Sequence, residues 1–309
     1  MADHFYLDED TSYLLGMLVA RGELVLAPGN FRLVIHFPKG ALLAQGESLT
    51  FDTAKETRLG IEKIRERIAE LVPGDVGTVD KTDSIDLVVR SPRRTMTWRN
   101  LSAIFNGAAS FPHFAIPAAF LDAGTPLEYK REFLRGFADV AANVRPANRD
   151  QAGAHRVRLD ILNHPSNWGV PVQLCLILQE QLGVPVPIIT WGHPNLHREW
   201  REHQLNVYAH EFLRVGFYFD YKQQALEELA SLNVRRNLLG TSGCPGERRV
   251  RGEKKPARLG ELNNSRLDPA LVGHHADSYW QICLKLGCPR RPPPVLHLEF
   301  GLEDENAQS

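Results

Sequence analysis

The sequence predicts an α+β protein built from two pseudo-symmetric αββαββα halves, each setting helices against an antiparallel sheet. Three observations predict it. Segments of helical and of strand periodicity alternate along the chain. The order restarts about 120 residues on. Each half opens on a helix, Thr11 to Ala20 in one and Tyr129 to Ala141 in the other.

The elements follow in order. Thr11 to Ala20 is apolar nearly all round and reads as a short buried helix, with Thr11 or Ser12 as its N-cap and Gly22 as its stop. Glu23 to Ala27 and Phe31 to Phe37 flank Pro28-Gly29-Asn30 as a hairpin. Phe31, Leu33, Ile35 and Phe37 alternate with Arg32, Val34 and His36, so one face is apolar and the other carries Arg32 and His36. Thr53 to Leu71 carries Leu59, Ile61, Ile64, Ile68 and Leu71 at helical spacing amid many charges and reads as an amphipathic helix. Val76 to Asp80 and Ile85 to Arg90 form a second hairpin, and Thr97 to Asn106 a helix.

The second half repeats the pattern with a helix from Tyr129 to Ala141 and a strand from His155 to Leu162. In that strand Arg156, Arg158 and Asp160 alternate with apolar residues. A helix from Val172 to Leu182, strands from Pro187 to Trp191 and His203 to Tyr208, and helices from Ala209 to Val215 and Lys222 to Leu232 complete it. The expected units are residues 1–125, 126–237 and a basic, Pro-rich appendage over 238–309. The run from Glu247 to Arg258 holds six basic residues against two acids, which suits phosphate tracking or a solvated loop.

Composition narrows the function classes. At 309 residues and 43% hydrophobic content the chain can bury a sizeable core. A formal net charge of −1 means that any nucleic-acid surface is a local patch balanced by acid elsewhere. No apolar run approaches the roughly 20 residues of a bilayer span, and MADHFYLDED is not a signal peptide, so the expected location is the cytoplasm, without a membrane partner. Cys175, Cys244, Cys283 and Cys288 are too sparse for a disulfide framework. Cys244, Cys283 and Cys288 with His275, or its neighbour His274, are candidate ligands of a structural Zn2+, although no CxxC pair occurs and Tyr279 to Leu286 also reads as a helix burying Cys283. P-loop, GxGxxG and HExxH strings are absent from the sequence.

The string Tyr13-Leu14-Leu15-Gly16-Met17-Leu18-Val19-Ala20-Arg21-Gly22 resembles the first LAGLIDADG motif, and Phe133-Leu134-Arg135-Gly136-Phe137-Ala138-Asp139-Val140-Ala141 the second. The resemblance to the LAGLIDADG homing endonucleases covers roughly residues 11 to 235. It implies that the two motif helices pack together at a pseudo-two-fold axis. That would explain a glycine inside an apolar helix, which costs about 1 kcal/mol relative to alanine unless close approach requires it. It further implies a monomeric saddle whose sheets enter the major groove of double-stranded DNA.

On that resemblance the chain is expected to be a site-specific DNA endonuclease of homing or restriction type, hydrolysing phosphodiesters with Mg2+. Expected DNA contacts are Arg32, His36, Arg156, Arg158, His193, Asn195 and His203. The family's motif acids, however, align with Arg21 and Ala141, neither of which binds a hard cation. Nearby Glu23 and Asp139 are the substitute Mg2+ ligands, with Lys222 and Gln204 completing the expected catalytic set. Asp160 follows on a strand facing the groove. The alternative is a catalytically silent, sequence-specific DNA-binding regulator, which Arg21 and Ala141 favour. A third reading is an unrelated α+β enzyme working around His193 and His203.

Overall fold

The computed structural model describes residues 7–27, 29–92, 95–146, 154–162, 170–186, 188–193 and 202–236. The 238–309 appendage, with Cys244, His275, Cys283 and Cys288, lies outside the described residues, as does Asn195.

Helix α1 spans Glu9–Arg21 and starts earlier than its apolar run suggests. Asp8 rather than Thr11 or Ser12 is the N-cap, its carboxylate accepting from the Thr11 amide at 2.7 Å. An acceptor three residues upstream of a free amide satisfies it, and Glu9 and Asp10 add negative charge to the first turn. Strands β1 (Gly22–Ala27) and β2 (Asn30–Pro38) form the expected hairpin, Leu24 opposite Leu33. Helix α2 (Thr53–Leu71) is capped by Asp52. Strands β3 (Asp75–Asp80) and β4 (Ser84–Pro92) close a sheet ordered β1-β2-β4-β3, and α3 (Met96–Ile104) follows, capped by Thr95.

After the short turn α4 (Ala118–Leu121), the second half runs through α5 (Leu127–Ala141), β5 (Ala142–Arg145) and β6 (Arg156–Leu162). It continues with α6 (Val170–Leu176), which passes into a wider π turn over Ile177–Gln181, and with β7 (Ile188–His193) and β8 (Glu202–Tyr208). Helices α7 (Ala209–Phe212) and α8 (Asp220–Arg235) end it. Its sheet is ordered β5-β6-β8-β7, the same permutation as the first. The two sheets are therefore built to one plan, antiparallel throughout.

Register decides which side chains enter the core, because a strand alternates faces. Phe31, Leu33, Ile35, Phe37, Leu87 and Val89 are buried from the first sheet, and Val157, Leu159, Ile161, Leu205 and Val207 from the second. With α1 and α5 they form one hydrophobic cluster. Where the two helices cross, a Cβ added to Gly16 would lie 1.9 Å from the Phe133 carbonyl oxygen, and one added to Gly136 would lie 2.1 Å from the Tyr13 carbonyl oxygen. The contact is reciprocal, as a two-fold requires, and backbone touches backbone. The architecture is LAGLIDADG-like: two αββαββα units joined through a pair of glycine-bearing helices.

The edges of both sheets at the junction are covered. The Leu24 amide donates to the Ala109 carbonyl at 2.7 Å, and the Gln45 amide to the Val144 carbonyl at 2.9 Å. Without these partners the Leu24 amide and the Val144 carbonyl would be open edge groups. Helix α8 also reaches back to the first half: the Tyr221 hydroxyl donates to the Leu42 carbonyl at 2.7 Å, and the Ser48 amide to the Glu228 carboxylate at 2.8 Å. Among the described residues no helix is long and apolar enough to cross a membrane.

Candidate nucleic-acid interface

The faces opposite the core carry the polar side chains, and antiparallel pairing brings these into rows. On the second sheet Arg145, Arg156 and Tyr208 stand opposite one another, as do Asn143, Arg158 and Asn206, and then Asp160 and Gln204. The Arg156 guanidinium lies 5.3 Å from the centre of the Tyr208 ring, a cation–π contact. Asn143 donates to Asp160 at 3.1 Å, and Arg158 approaches the other Asp160 oxygen at 3.6 Å. Among the described side chains, this face presents Arg145, Arg156 and Arg158 beside Asp160, and the pairing of Leu162 with Glu202 continues it.

On the first sheet the corresponding rows are Val25, Arg32, Arg90 and Asp75, then Glu23, Val34, Val88 and Gly77, then His36, Asp86 and Val79. Arg90 is held by Asp75 at 3.3 Å. His36 sits between two carboxylates, its Nδ1 2.9 Å from Asp86 and its Nε2 3.4 Å from Glu23. Burial opposes ionisation of Asp86, but hydrogen bonds from Lys81, His36 and Ser84 prevail and hold its carboxyl below the ordinary range. This face is mixed in charge, with Arg32 its exposed unpaired cation among the described residues.

Sequence reasoning placed Arg32, His36, Arg156 and Arg158 on these outer faces, and the structure puts them there. Gln204 joins Asp160 on the same face, only 6% exposed. His203 is a correction. It pairs opposite Ile161 on the core side with Leu205 and Val207, at 1% exposure, where burial pushes its imidazole down to about 3. The side chain of His193, at the end of β7, lies outside the described residues.

The expected metal pair is not assembled. Asp139 is fully buried, and its carboxylate accepts from the Tyr13 hydroxyl at 2.8 Å, the Tyr218 amide at 3.1 Å and the Phe219 amide at 3.4 Å. Those amides belong to the two residues that precede α8, so Asp139 fixes the chain where it enters that helix. Burial pushes the Asp139 carboxyl up to about 6 despite Lys222 and these donors. Lys222 is fully buried in turn and donates to the Asp139 and Ala142 carbonyls, both at 2.8 Å, closing the C-terminal end of α5. Burial brings its ammonium down to about 7.

Glu23 shares no partner with Asp139, and the aligned motif positions hold Arg21 and Ala141. Arg21, 5% exposed, donates to the Ala20 carbonyl at 2.7 Å and the Asp160 carbonyl at 3.3 Å, and lies over the Phe111 ring. A magnesium ion needs carboxylate oxygens with free lone pairs and room for water. The residues at this junction do not fit one. Among the described residues no group of three or more His, Cys, Asp and Glu could hold a metal.

Sequence reasoning missed Asn143 and Arg145 because β5 is only four residues long and follows α5 without a break. It also missed Asp86, Arg90, Asn206 and Tyr208, although working out the alternation along their strands would have picked them out.

No family model matches the chain, and no curated protein does. Among solved structures it is similar to full-length DUF199/WhiA from Thermatoga maritima, at 13% identity and a TM-score of 0.42 over 79% of this chain and 62% of that one. The chain thus spans less than two thirds of that protein. It is also similar to the homing endonuclease I-DmoI in complex with DNA and Mn, at 16% identity and a TM-score of 0.35 over 72% of this chain and 97% of that one. The N-terminal LAGLIDADG domain of DUF199/WhiA gives 12% identity and a TM-score of 0.35, covering 73% and 90%.

Proposed function

We propose that this protein binds double-stranded DNA along the outer faces of its two sheets and does not cut it. The observation that carries the reading is the in-register pair of rows on the second sheet, Arg145–Arg156–Tyr208 and Asn143–Arg158–Asn206. Guanidinium groups neutralise phosphates and read guanine edges bidentately, and side-chain amides read adenine, so Arg145, Arg156, Arg158 and Asn206 supply both positioning and base contacts, whereas Asn143 and Tyr208 of the same rows are buried. The second sheet is the main phosphate contact on this reading, because the first balances its cations with Glu23, Asp75 and Asp86.

Cleavage is left out of the reading for a chemical reason. Metal-assisted hydrolysis needs carboxylates presented to the scissile phosphate. Asp139 instead holds the segment entering α8 and Lys222 closes the end of α5, both inside the protein, and Arg21 and Ala141 stand where the motif acids would be.

The test is to incubate the purified protein with a sequence-diverse DNA such as a phage genome, with Mg2+ and with EDTA, and to follow both fragment pattern and retention. Intact DNA with retention that weakens steeply as salt rises is expected. Discrete Mg2+-dependent fragments would overturn the non-cutting reading, and retention that is absent or insensitive to salt would overturn DNA binding itself.

A further inference from the structure

Away from the sheet faces, a cavity of about 470 Å³ opens beside the first turns of α5, lined by Leu127, Arg131, Arg135, Gln181, Leu182, Leu213 and Arg214. Leu127, Arg131 and Arg135 recur at four-residue intervals and so share one helix face. They occupy the N-terminal part of α5, whereas the outer sheet face is reached from its C-terminal end through β5. The cavity and the DNA surface proposed above are therefore separate.

Two of its three arginines are fixed by the backbone. Arg135 donates through Nε and Nη2 to the Val215 carbonyl, at 3.1 and 3.0 Å, and pairs with Glu132. Arg214 donates to the Gly183 carbonyl and lies 3.6 Å from Glu211. Among the described residues Arg131 has no carboxylate partner. Three guanidinium groups thus face two carboxylates, and Glu132 is itself shared with Arg67 at 3.2 Å. Leucines complete the walls, and Leu127 and Leu213 are 45% and 42% exposed, so apolar surface lies open next to the spare charge. The volume falls within the range of small-molecule sites.

We propose that this cavity binds a small organic anion, a phosphate or carboxylate head on Arg131 with an apolar body against Leu127 and Leu213. A head group there gains charge-assisted hydrogen bonds from Arg131, while Arg135 and Arg214 beside it are already held by Val215 and Gly183, so among the three arginines Arg131 is the side chain left to order on binding. The apolar body removes the exposed leucine surface from water.

The experiment is calorimetric titration of the full chain with phenyl phosphate and with inorganic phosphate at fixed ionic strength, in the unmodified protein and in Arg131→Gln and Arg156→Gln. Phenyl phosphate is expected to saturate one site and to bind about tenfold tighter than inorganic phosphate. Arg131→Gln is expected to weaken it about tenfold without changing DNA retention or the thermal midpoint. Equal binding by the unmodified protein and Arg131→Gln would overturn the proposal, as would a loss confined to Arg156→Gln, which would place the anion on the sheet. Equal affinity for the two phosphates would overturn the apolar half of the site.

Discussion

The hydroxyl of Tyr13 donates to the carboxylate of Asp139 at 2.8 Å across 126 residues of sequence, tying one motif helix to the other inside the protein. The same carboxylate serves two amides just before α8. Asp139→Asn keeps an acceptor for those amides and lets the Tyr13 hydroxyl turn round to accept. Asp139→Ala leaves buried donors unpaired, at about 1–3 kcal/mol each. Urea unfolding should show a loss of about 1–2 kcal/mol for Asn and about 4 kcal/mol or more for Ala. An Asn variant of undiminished stability that had lost a Mg2+-dependent cleavage would assign Asp139 to catalysis instead.

Gly16 and Gly136 give a prediction of unusual sign. At an ordinary helix position Gly→Ala stabilises by about 1 kcal/mol. Here the new methyl would meet a carbonyl oxygen at 1.9 or 2.1 Å, and the obstacle is backbone, which cannot swing aside. Each Gly→Ala variant should lose at least about 2–3 kcal/mol in denaturant unfolding. A neutral or stabilising result at either position would mean that the helices do not cross there.

How much of this was legible beforehand depends on the range of the interaction. The α2 boundaries, Thr53 and Leu71, and the outward placement of Arg32, His36, Arg156 and Arg158 follow from periodicity, a local property. The reciprocal glycines were legible because a costly residue in a helix asks for a reason. The surroundings of Asp139 and Lys222 were not legible, because their partners, Tyr13, Tyr218 and the carbonyls ending α5, come from elements distant in sequence. His203 was misplaced because it reads together with the polar run between β7 and β8 as part of a DNA-contacting hairpin, whereas its register opposite Ile161 turns it inward.

That inward histidine has a pH signature. The folded imidazole stays neutral down to about 3, whereas an unfolded one takes up a proton near 6.5. Between those values the unfolded chain binds more protons, so this residue's contribution is present above about 6.5 and is lost as pH falls through the window. The carboxyl of Asp139 acts in the opposite sense. Raised to about 6, it favours folding below its ordinary value of about 3.8, and that contribution is lost as pH rises through 6. A comparison with His203→Leu isolates the histidine: from pH 7 to pH 4 the unmodified protein should lose stability relative to the variant by on the order of 1 kcal/mol per pH unit. Parallel stability curves for the two proteins would show that His203 is hydrated or protonated in the folded state.

The last prediction separates the two sheets. Each guanidinium that neutralises a phosphate adds about 0.9 to the slope of log affinity against log salt. Arg156 and Arg158 stand in the rows proposed to meet phosphates, and Arg158 is no nearer than 3.6 Å to Asp160 in the next row, so Arg156→Gln and Arg158→Gln should each weaken DNA retention and flatten the slope by about one. Arg90 is already neutralised by Asp75 at 3.3 Å, so Arg90→Gln should change the slope by much less. Retention measured between low and physiological salt for the three variants decides the matter. If Arg90→Gln flattened the slope most, the first sheet would be the principal contact, and Asp75 would have to release its arginine when DNA arrives.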